Sequence, residues 1–525
     1  MIHRLINRKS SIWEATVVLA VASLVSRLFG LVRDRTLAAH FGAGDTLDAY
    51  FAAFKVPDLI FNLLILGALS SAFIPVFTDY IKRNGKDEAW GIVNSLVNFG
   101  TVVLAGVLII VGLFAPYLAQ FVAPGFDAEA QTMVANLMRV MMFSPFFFGL
   151  SNLAGGILNS FRNFIAYAFA PVFYNLGIIS GAVFLVPRFG YMGLAYGVVL
   201  GSFLHMIVQL PGVFALGYRY RMHINFKHPA MRRIAVLMIP RTLGVATQQI
   251  SILINTIIAS TLAVGSIAVL NLADNLYSLP ISIFGISFAV AVFPTLAERY
   301  TLQQIDEFKQ DFVQTFRQIM YFILPTTILY WILRAQIVRL VLGSGQFDWE
   351  DTRFTVSVLA FLTIGMTAQA IIPLLARSFY ALQDTKTPFY TGLLAVVANV
   401  MLALVLIKYL KVVGLAAAIS IASTLNAGIL FALLSHRLKG LNMRTLAGML
   451  TKVVISALVM GLVAYGILNA MSWIIDTHTF VGLLAQTVTA VITAGLTYLA
   501  MTKKFALPEV EMVMRPARLL LRRNK

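Results

Sequence analysis

The first long apolar stretch of the chain contains Ser26-Arg27-Leu28-Phe29-Gly30-Leu31-Val32-Arg33-Asp34-Arg35. A charged side chain at bilayer depth costs at least about 2.5–3.5 kcal/mol on insertion scales. Charged residues are therefore kept in membrane helices mainly where they face a wet cavity, and an arginine there can hold an anion. The run predicts a membrane helix beside such a cavity, with Arg27 and Arg33 as candidate anion ligands.

The composition of the whole chain indicates a helical membrane protein. Of its 525 residues, 59% are hydrophobic and only 12% are charged, whereas soluble domains carry about 25% charged residues. Apolar runs of about 18 residues or more recur from end to end, and each is long enough to cross the hydrocarbon core as a helix. We therefore predict an all-α polytopic membrane protein with about 14 transmembrane helices. The predicted spans lie at residues 12–40, 48–80, 89–115, 130–158, 164–186, 190–217, 234–260, 264–297, 308–333, 354–382, 387–407, 412–435, 446–470 and 480–502.

The net charge of +18 is explained by membrane topology. Basic residues collect in one set of loops and in the tail, so the positive-inside rule predicts that both termini lie in the cytoplasm. The same basic residues are expected to attract anionic lipid headgroups, so the positive charge does not require a nucleic-acid partner. The absence of cysteine excludes disulfides and thiolate metal sites. The basic positions on the predicted cytoplasmic side include Lys82, Arg83, Lys86, Arg219, Arg221, Lys227, Arg232, Arg233 and the tail from Lys503 to Lys525.

Three landmarks recur at nearly constant separation along the chain. They are Pro75 and Pro294, 219 apart; Pro171 and Pro388, 217 apart; and Gly193 and Gly414, 221 apart. The offset covers six predicted helices, an even number, so both halves share one orientation. This arrangement is a parallel repeat, for which the substrate site is expected between the halves.

The repeat gives the predicted domain organisation. An N-terminal six-helix half occupies residues 1–225 and a C-terminal six-helix half occupies residues 226–440. An extra transmembrane helix pair follows at 441–505. The chain ends at 506–525 in a basic amphipathic tail that is expected to lie on the inner leaflet.

Polar stripes mark the second and eighth predicted spans. Asp48, Lys55 and Asn62 are spaced by seven, which drifts by only about 20° per step around a helix. The eighth span carries four polar residues on one face at i, i+3, i+4 and i+7. Both stripes are expected to line a shared central cavity. The four residues of the eighth span are Asn271, Asp274, Asn275 and Ser278.

Two interpretations of the first-span charges stay open. Arg27 and Asp34 share a helix face, so Arg27 could form a structural ion pair with Asp34 or with Asp48. Alternatively, Arg27 and Arg33 are cations spaced to grip an extended anion such as a pyrophosphate, with Lys55 nearby. Arg241, at the entrance of span seven, is either an interface anchor or a further cation.

Motifs over essentially the whole chain resemble the MurJ (MviN) family of lipid II flippases, within the multidrug/oligosaccharidyl-lipid/polysaccharide exporter superfamily. The resemblance lies in Ser26-Arg27-Leu28-Phe29-Gly30, Arg33-Asp34, Phe41-Gly42-Ala43-Gly44, Asp48-Ala49-Tyr50-Phe51, Phe54-Lys55-Val56-Pro57, Gly67-Ala68-Leu69-Ser70-Ser71-Ala72-Phe73-Ile74-Pro75, Ala123-Pro124-Gly125-Phe126, Leu158-Asn159-Ser160 and Phe379-Tyr380-Ala381-Leu382-Gln383-Asp384-Thr385-Lys386-Thr387-Pro388.

The resemblance implies a flippase that carries lipid II, an undecaprenyl-pyrophosphate disaccharide-pentapeptide, to the outer leaflet for peptidoglycan synthesis. It places the family's essential first-span arginines on Arg27 and Arg33 and its second-span acid on Asp48. It also implies that spans thirteen and fourteen form a groove for the polyprenyl tail. The chain departs from the family at two places. Many members carry Arg-Arg on span two, where this chain has Phe61-Asn62. Many also carry Arg and Glu on span eight, where this chain has Asn275 and Ser278.

The predicted function is therefore lipid II translocation by alternating access, with no enzymatic activity and no cofactor. Membrane potential or a monovalent cation would drive it, and the chain is expected to work as a monomer beside cell-wall synthesis proteins. The alternatives are a flippase for another polyprenyl-linked oligosaccharide, a membrane scaffold of cell-wall synthesis, and an enzyme that uses the outer-loop acids at 348–351. The predicted substrate-binding residues are Arg27, Arg33, Lys55, Asp48 and Arg241, and the predicted cavity-lining residues are Ser26, Asp34, Asn62, Asn271, Asp274, Asn275 and Ser278.

Overall fold

The computed structural model of the protein describes residues 12–66, 69–222, 225, 228–441 and 443–514. This part of the chain is built from helices and contains no β-strand. The all-α prediction is confirmed. The described residues group into two compact units, one of residues 1–268 with 344–348 and the other of residues 269–343 with 349–525.

The first unit contains twelve helices within its described residues, and most are predominantly apolar. They are α1 (Ile12–Phe41), α2 (Asp45–Ala53), α3 (Lys55–Ile60), α4 (Leu69–Arg83), α5 (Lys86–Val122), α6 (Ala128–Met141), α7 (Phe143–Ser160), α8 (Ile165–Ser180), α9 (Val186–Phe189), α10 (Met192–Ile207), α11 (Leu210–Ala215) and α12 (Pro229–Ser260). The unit thus includes α12, which the sequence repeat assigned to the C-terminal half, so the two divisions differ by one helix and the following loop.

The second unit is formed by eight helices of the described chain. They are α13 (Ser266–Pro280), whose first turn belongs to the first unit, α14 (Ser287–Thr301), α15 (Ile305–Val341), α16 (Trp349–Ile364), α17 (Met366–Ala381), α18 (Lys386–Arg437), α19 (Met443–Ser472) and α20 (Phe480–Lys504). The extra pair α19 and α20 packs together and onto α15. Its core includes Tyr321, Val453, Ala457 and Ala494.

The helices carry the predicted spans, although they do not fix their number. In the described chain, nine helices are long and apolar enough to cross a membrane, or ten if α16 and α17, bent by 44°, form one span. The long helix α18 holds predicted spans eleven and twelve and is broken at Lys411, where φ is 51° and ψ is −134°. The count of about 14 therefore stays a prediction.

A π-helical turn occurs at the same place in both halves of the sequence repeat. It covers Phe61–Leu66 after α3 and Ile281–Ile286 after α13, and the two segments lie 220 residues apart. Each precedes a helix with an internal proline, Pro75 in α4 and Pro294 in α14. A third π-turn of the described chain covers Gly181–Leu185 and has no counterpart at this offset.

Helices α8 and α10 approach each other through glycines. A Cβ atom on Gly177 would overlap the backbone of Gly201, and one on Gly181 would overlap that of Gly197. Close backbone approach through small residues is a common way to pack membrane helices, because lipid supplies no hydrophobic force between them.

Replacement of Gly177 with alanine is expected to destabilise the first unit by about 1–3 kcal/mol, because the added methyl group forces the two helices apart. A thermal melt of the purified chain in detergent measures the effect. Gly106→Ala is the matched control, since a Cβ at Gly106 meets no atom within 4 Å. Equal melting temperatures for the two variants would contradict the close packing.

The linker before α12 is bound to α5 by side-chain amides. Tyr218 Oη donates a hydrogen bond of 2.8 Å to Asn94 Oδ1, and Tyr220 Oη donates one of 2.6 Å to Asn98 Oδ1. The backbone amide of Arg221 also donates to Asn94 Oδ1 at 3.0 Å. The alternating Arg219 and Arg221 are exposed.

The described beginning of the predicted tail packs against the second unit. Leu507 and Val510 are buried, and Arg317 Nε donates a hydrogen bond of 2.7 Å to Glu509 Oε1. These contacts anchor the chain after α20. The predicted basic amphipathic helix depends on residues after Met514, which lie outside the described residues.

Asp384 caps the first turn of α18. Its carboxylate accepts hydrogen bonds from the amides of Lys386 and Thr387 and from the hydroxyl of Thr387, and it pairs with Arg437 at 3.0 Å. Burial alone would raise the pKa of Asp384, but the hydrogen bonds from Thr387 and the nearby Arg437 guanidinium outweigh it and lower the pKa.

Replacement of Asp384 with alanine is expected to cost about 1 kcal/mol at neutral pH, as for other helix caps. Because the folded pKa is depressed, the stabilisation is complete above the unfolded pKa of about 3.9 and is lost as pH falls through the folded value. The difference in melting temperature between the native chain and Asp384→Ala should therefore shrink below about pH 4. A difference that grows on acidification would contradict this assignment.

Candidate functional site

Arg33 is held between α1 and α8. Its Nε and Nη2 donate hydrogen bonds of 2.9 and 2.8 Å to Oδ1 of the buried Asp34, and its Nη1 donates one of 3.2 Å to Asn175 Oδ1. Each terminal nitrogen of a guanidinium carries a second hydrogen, so Arg33 keeps donors for another anion. The structure therefore pairs Asp34 with Arg33, its neighbour in sequence.

Asn175, in α8, links Arg33 to backbone carbonyl groups of both α1 and α8. It is 6% exposed, and its amide nitrogen donates to the carbonyl oxygens of Ser26 and Pro171 at 3.3 and 3.1 Å while its oxygen accepts from Arg33. Because all of these bonds are made at once, the amide fixes the position of the Arg33 guanidinium. The sequence analysis did not single out Asn175. A buried amide in an apolar span was the signal that could have found it.

Arg27 differs from Arg33 because no described residue pairs with it. It is partly buried, and within the described chain no acceptor forms a hydrogen bond or ion pair with its guanidinium. A cation in a membrane helix without a protein partner is poorly compensated and is available to an anionic ligand. This geometry favours the ligand interpretation of Arg27 over a structural ion pair with Asp34 or Asp48.

The short helix α3 brings a second pair of charges to the site. Lys55 and Asp58 are three residues apart, so they share one helix face, and Asp58 interacts electrostatically with Lys55 and with Arg33. The Asp58 side chain is exposed. The neighbouring Asn62 donates to the Asp58 carbonyl oxygen at 2.8 Å. The sequence analysis missed Asp58, although the spacing to Lys55 was visible.

Aromatic side chains surround these charges within the first unit. Tyr50 and Tyr174 interact electrostatically with Arg33, and Tyr174 also packs on Phe148 with ring centroids 5.0 Å apart. Phe148 contacts Phe61 at the same centroid distance. Phe61 is thus an aromatic ring in an apolar contact.

Asp48 lies at the start of α13 and not among these charges. It is 2% exposed, and its two carboxylate oxygens accept hydrogen bonds of 2.7 Å from the backbone amides of Gly265 and Ala268. A carboxylate is favourable there because the first amides of a helix have no helical partners. In this conformation the oxygens of Asp48 are occupied by the protein, and its contact with substrate stays a prediction.

The polar stripe of α13 lies in the second unit and is accessible along its length. Asp274 is exposed, while Asn271, Asn275 and Ser278 are partly buried and the intervening Leu272 is fully buried. The stripe is therefore the open face of the helix, as the periodicity predicted. Whether it shares a cavity with the second-span stripe stays a prediction.

Two further predicted features have different outcomes. The backbone of Arg241 lies in α12, and its side chain lies outside the described atoms.

An apolar recess of about 400 Å³ lies in the second unit among α15, α16, α17, α18 and α19, and Phe316, Phe431 and Leu450 line it. It adjoins α19, the first helix of the pair expected to hold a polyprenyl tail.

Replacement of Asn175 with alanine is expected to lower transport by about tenfold, since loss of one hydrogen bond to a charged group costs about 1.5–3 kcal/mol and part of it is recovered by water. The initial transport rate of the reconstituted chain measures the effect. Asn175→Asp separates the two kinds of bond, because the carboxylate still accepts from Arg33 but cannot donate to the backbone carbonyls. Full activity of Asn175→Ala would contradict a positioning role.

The comparisons with known proteins cover most of the chain. A family profile described as "Lipid II flippase MurJ" matches residues 37–486. A protein of Buchnera aphidicola subsp. Acyrthosiphon pisum described as "Probable lipid II flippase MurJ" is 30% identical over 494 residues, which are 92% of this chain and 96% of the relative. A "Lipid II flippase MurJ" of Burkholderia cenocepacia is 29% identical over 430 residues, covering 80% and 83% of the two chains.

Solved structures show that the fold is shared with known transporters. A structure described as "Lipid II flippase MurJ, inward closed conformation" superposes with a TM-score of 0.78 at 24% identity, covering 93% of this chain and 98% of the other. An inward-facing multidrug resistance MATE family transporter gives a TM-score of 0.67 at 17% identity, covering 81% and 98%. The profile match and the 30% identical relative establish that the chain belongs to the MurJ family of lipid II flippases.

Proposed function

We propose that this chain carries lipid II from the inner to the outer leaflet of the bacterial inner membrane. Its family is one of flippases, so the chain is a transporter and not an enzyme. Its apolar helices make it a multi-pass protein of that membrane. The proposal adds that both termini are cytoplasmic, which rests on the positive-inside distribution of lysine and arginine.

The observation that carries the proposal is the open cationic site in the first unit. Arg27 has no partner among the described residues, and Arg33 is fixed by Asp34 and Asn175 with donors to spare. Arginine binds phosphate oxygens through paired hydrogen bonds, so the two side chains suit the pyrophosphate of a lipid-linked sugar. Lys55 supplies a further positive charge.

The proposed mechanism is alternating access. Structures of the same fold have been solved facing inward and facing outward, both described as a multidrug resistance MATE family transporter. The headgroup would bind from the cytoplasm at Arg27, Arg33 and Lys55, and the recess beside α19 would hold part of the tail. Membrane potential would assist, since one charge moved through 100 mV gains about 2.3 kcal/mol. We propose that a monomer suffices.

The experiment is growth of bacteria depleted of their own lipid II flippase. The native chain is expected to restore growth, and Arg27→Ala and Arg33→Ala are expected to fail at equal membrane abundance. Rescue by all three chains would show that neither arginine is needed for substrate binding. Failure of a well-expressed native chain would favour another polyprenyl-linked cargo, an alternative suggested by Phe61 at a position where many relatives carry arginine.

The scaffold alternative is tested by truncation of the tail. The cut should follow Met514, because Leu507, Glu509 and Val510 are buried parts of the second unit. A chain ending at Met514 is expected to restore growth. Loss of growth with transport intact in vesicles would favour recruitment of cell-wall synthesis proteins through the basic tail.

A further inference from the structure

The short segment Ser344–Asp348, which we call the strap, docks on the first unit although both helices that flank it belong to the second. It connects α15 to α16, yet its own residues are part of the first unit. The backbone amide of Gln346 donates a hydrogen bond of 2.9 Å to the carbonyl oxygen of Ala39, in the last turn of α1. The last carbonyl groups of a helix have no partner four residues further on, so the strap supplies a donor to the end of α1.

The strap is seated on α1 by close backbone contact. Gly345 has a φ of 63°, and a Cβ atom on it would overlap the backbone of Ala39. Glycine is therefore required at this position both for its conformation and for its closeness to α1. The neighbouring Phe347 is 4% exposed, and the Oγ atom of Ser344 is also buried.

Other turns of the first unit pack in the same way. A Cβ atom on Gly265, just before α13, would overlap the backbone of Ala43, just after α1. One on Gly125, after α5, would overlap the backbone of Ser260 at the end of α12. The predicted topology places the turns after α1, α5, α12 and α15 on the outer side of the membrane. The contacts agree with a common side for these turns, and the strap is the one that joins two helices of the second unit.

The composition of the strap suits reversible docking. Gly345, Gln346 and Asp348 are exposed, so water can solvate the amide of Gln346 and the carbonyl of Ala39 when the two separate. Phe347 is the one side chain of the strap that is buried. Segments that open locally are those with few buried apolar contacts and solvent-accessible backbone bonds.

We propose that the strap is a detachable latch, docked on α1 while the substrate site is closed to the outside and released each time the site opens outward. Because α15 and α16 continue directly from its two ends, movement of these helices pulls on the strap. Packed contacts of this kind have discrete docked and released states. The inference rests on the proposed alternating access and adds a contact that has to break in each cycle.

The first test uses a single cysteine as a reporter, because the native chain has none. Ser344→Cys is a conservative change at a buried Oγ atom, so the thiol should react slowly with a membrane-impermeant maleimide added to spheroplasts. Addition of Gly345→Ala should raise the labelling rate at least about tenfold, because the new Cβ cannot fit against Ala39 and the rate follows the released fraction. Labelling of Ser344→Cys as fast as that of Ser472→Cys, an exposed control on the predicted outer side, would overturn the proposal.

Gly190→Ala is the control that separates docking from backbone strain. Gly190 has nearly the same φ as Gly345, 59° against 63°, but a Cβ on Gly190 meets no atom within 4 Å. Alanine strains the backbone at both positions and blocks a contact only at Gly345. Gly190→Ala should therefore leave the labelling of Ser344→Cys unchanged. Equal acceleration by the two alanines, or none by Gly345→Ala, would overturn the proposal.

The second test does not depend on the folding of Gly345→Ala. Ala39→Cys and Gln346→Cys are combined and joined by a short, reducible bifunctional thiol reagent. The joined chain should translocate fluorescent lipid II in proteoliposomes no faster than protein-free vesicles, reduction should restore transport, and each single-cysteine variant treated alike should stay active. Native rates in the joined chain would overturn the latch and leave the proposed function standing. If the unjoined chain translocates no lipid II, the proposed function fails and the labelling alone decides the latch.

Discussion

Replacement of Arg27 with alanine is expected to lower lipid II binding by more than about a hundredfold while leaving the fold intact. Two hydrogen bonds from a guanidinium to phosphate contribute about 3 kcal/mol or more, and about 1.4 kcal/mol corresponds to a factor of ten. Because no described residue pairs with Arg27, its loss leaves no orphaned acceptor in the described chain. The change in stability should stay within about 0.5 kcal/mol. Calorimetric binding and a thermal melt on the same preparation measure the two effects.

The matched control for Arg27 is Arg139. This arginine lies in α6, where it donates to the Gly112 carbonyl oxygen and to Asn136. Arg139→Ala is expected to bind lipid II normally. An Arg27→Ala chain that melts much earlier than the native one would show that Arg27 is a structural ion-pair partner, and the ligand interpretation would then be wrong.

Replacement of Asp48 with alanine is expected to destabilise the protein by about 3–5 kcal/mol. The change leaves the buried amides of Gly265 and Ala268 without acceptors, and each unsatisfied buried group costs about 1–3 kcal/mol. It also removes a negative charge from a helix start, where such a charge is stabilising. The melting temperature in detergent and the yield of folded chain measure the loss.

Asp45 provides the control for Asp48. It lies three residues earlier in the same helix α2 and is exposed, so Asp45→Ala should melt close to the native chain. Asp48→Asn should fall between the two, because an amide keeps one acceptor oxygen and turns an N–H₂ group toward the second amide. A stable Asp48→Ala chain that fails only in transport would contradict the structural role and restore Asp48 to the substrate site.

The sequence predicted features that depend on periodicity and on the cost of charge in a membrane. The stripe of α13 is accessible because polar residues at i, i+3, i+4 and i+7 must share a face. Arg27 and Arg33 were recognised because a charged residue in an apolar membrane segment is costly and is kept mainly where it faces a wet cavity or a partner. The helices were predictable because the backbone N–H and C=O groups of an apolar run in lipid can form hydrogen bonds only within the same segment.

Features that depend on tertiary contacts were not predictable from spacing. Asp34 shares a helix face with Arg27, but its partner in the structure is the adjacent Arg33, since a long side chain can bend back to its neighbour. Asn175 reaches the same arginine from a helix about 140 residues further along the chain. Asp48 appeared as part of a substrate stripe, whereas its oxygens cap a helix whose start is remote in sequence. The side chain of Arg241 stays a prediction.

The most direct measurement is translocation of fluorescent lipid II in proteoliposomes that contain only the purified chain. Lipid II in the outer leaflet is quenched by an impermeant reagent, and the protected fraction is followed over time. The native chain is expected to expose lipid II from the inner leaflet, Arg139→Ala should match it, and Arg27→Ala should behave like protein-free vesicles. Equal translocation by the native chain and Arg27→Ala, or none by a folded native chain, would contradict transport of lipid II through this cationic site.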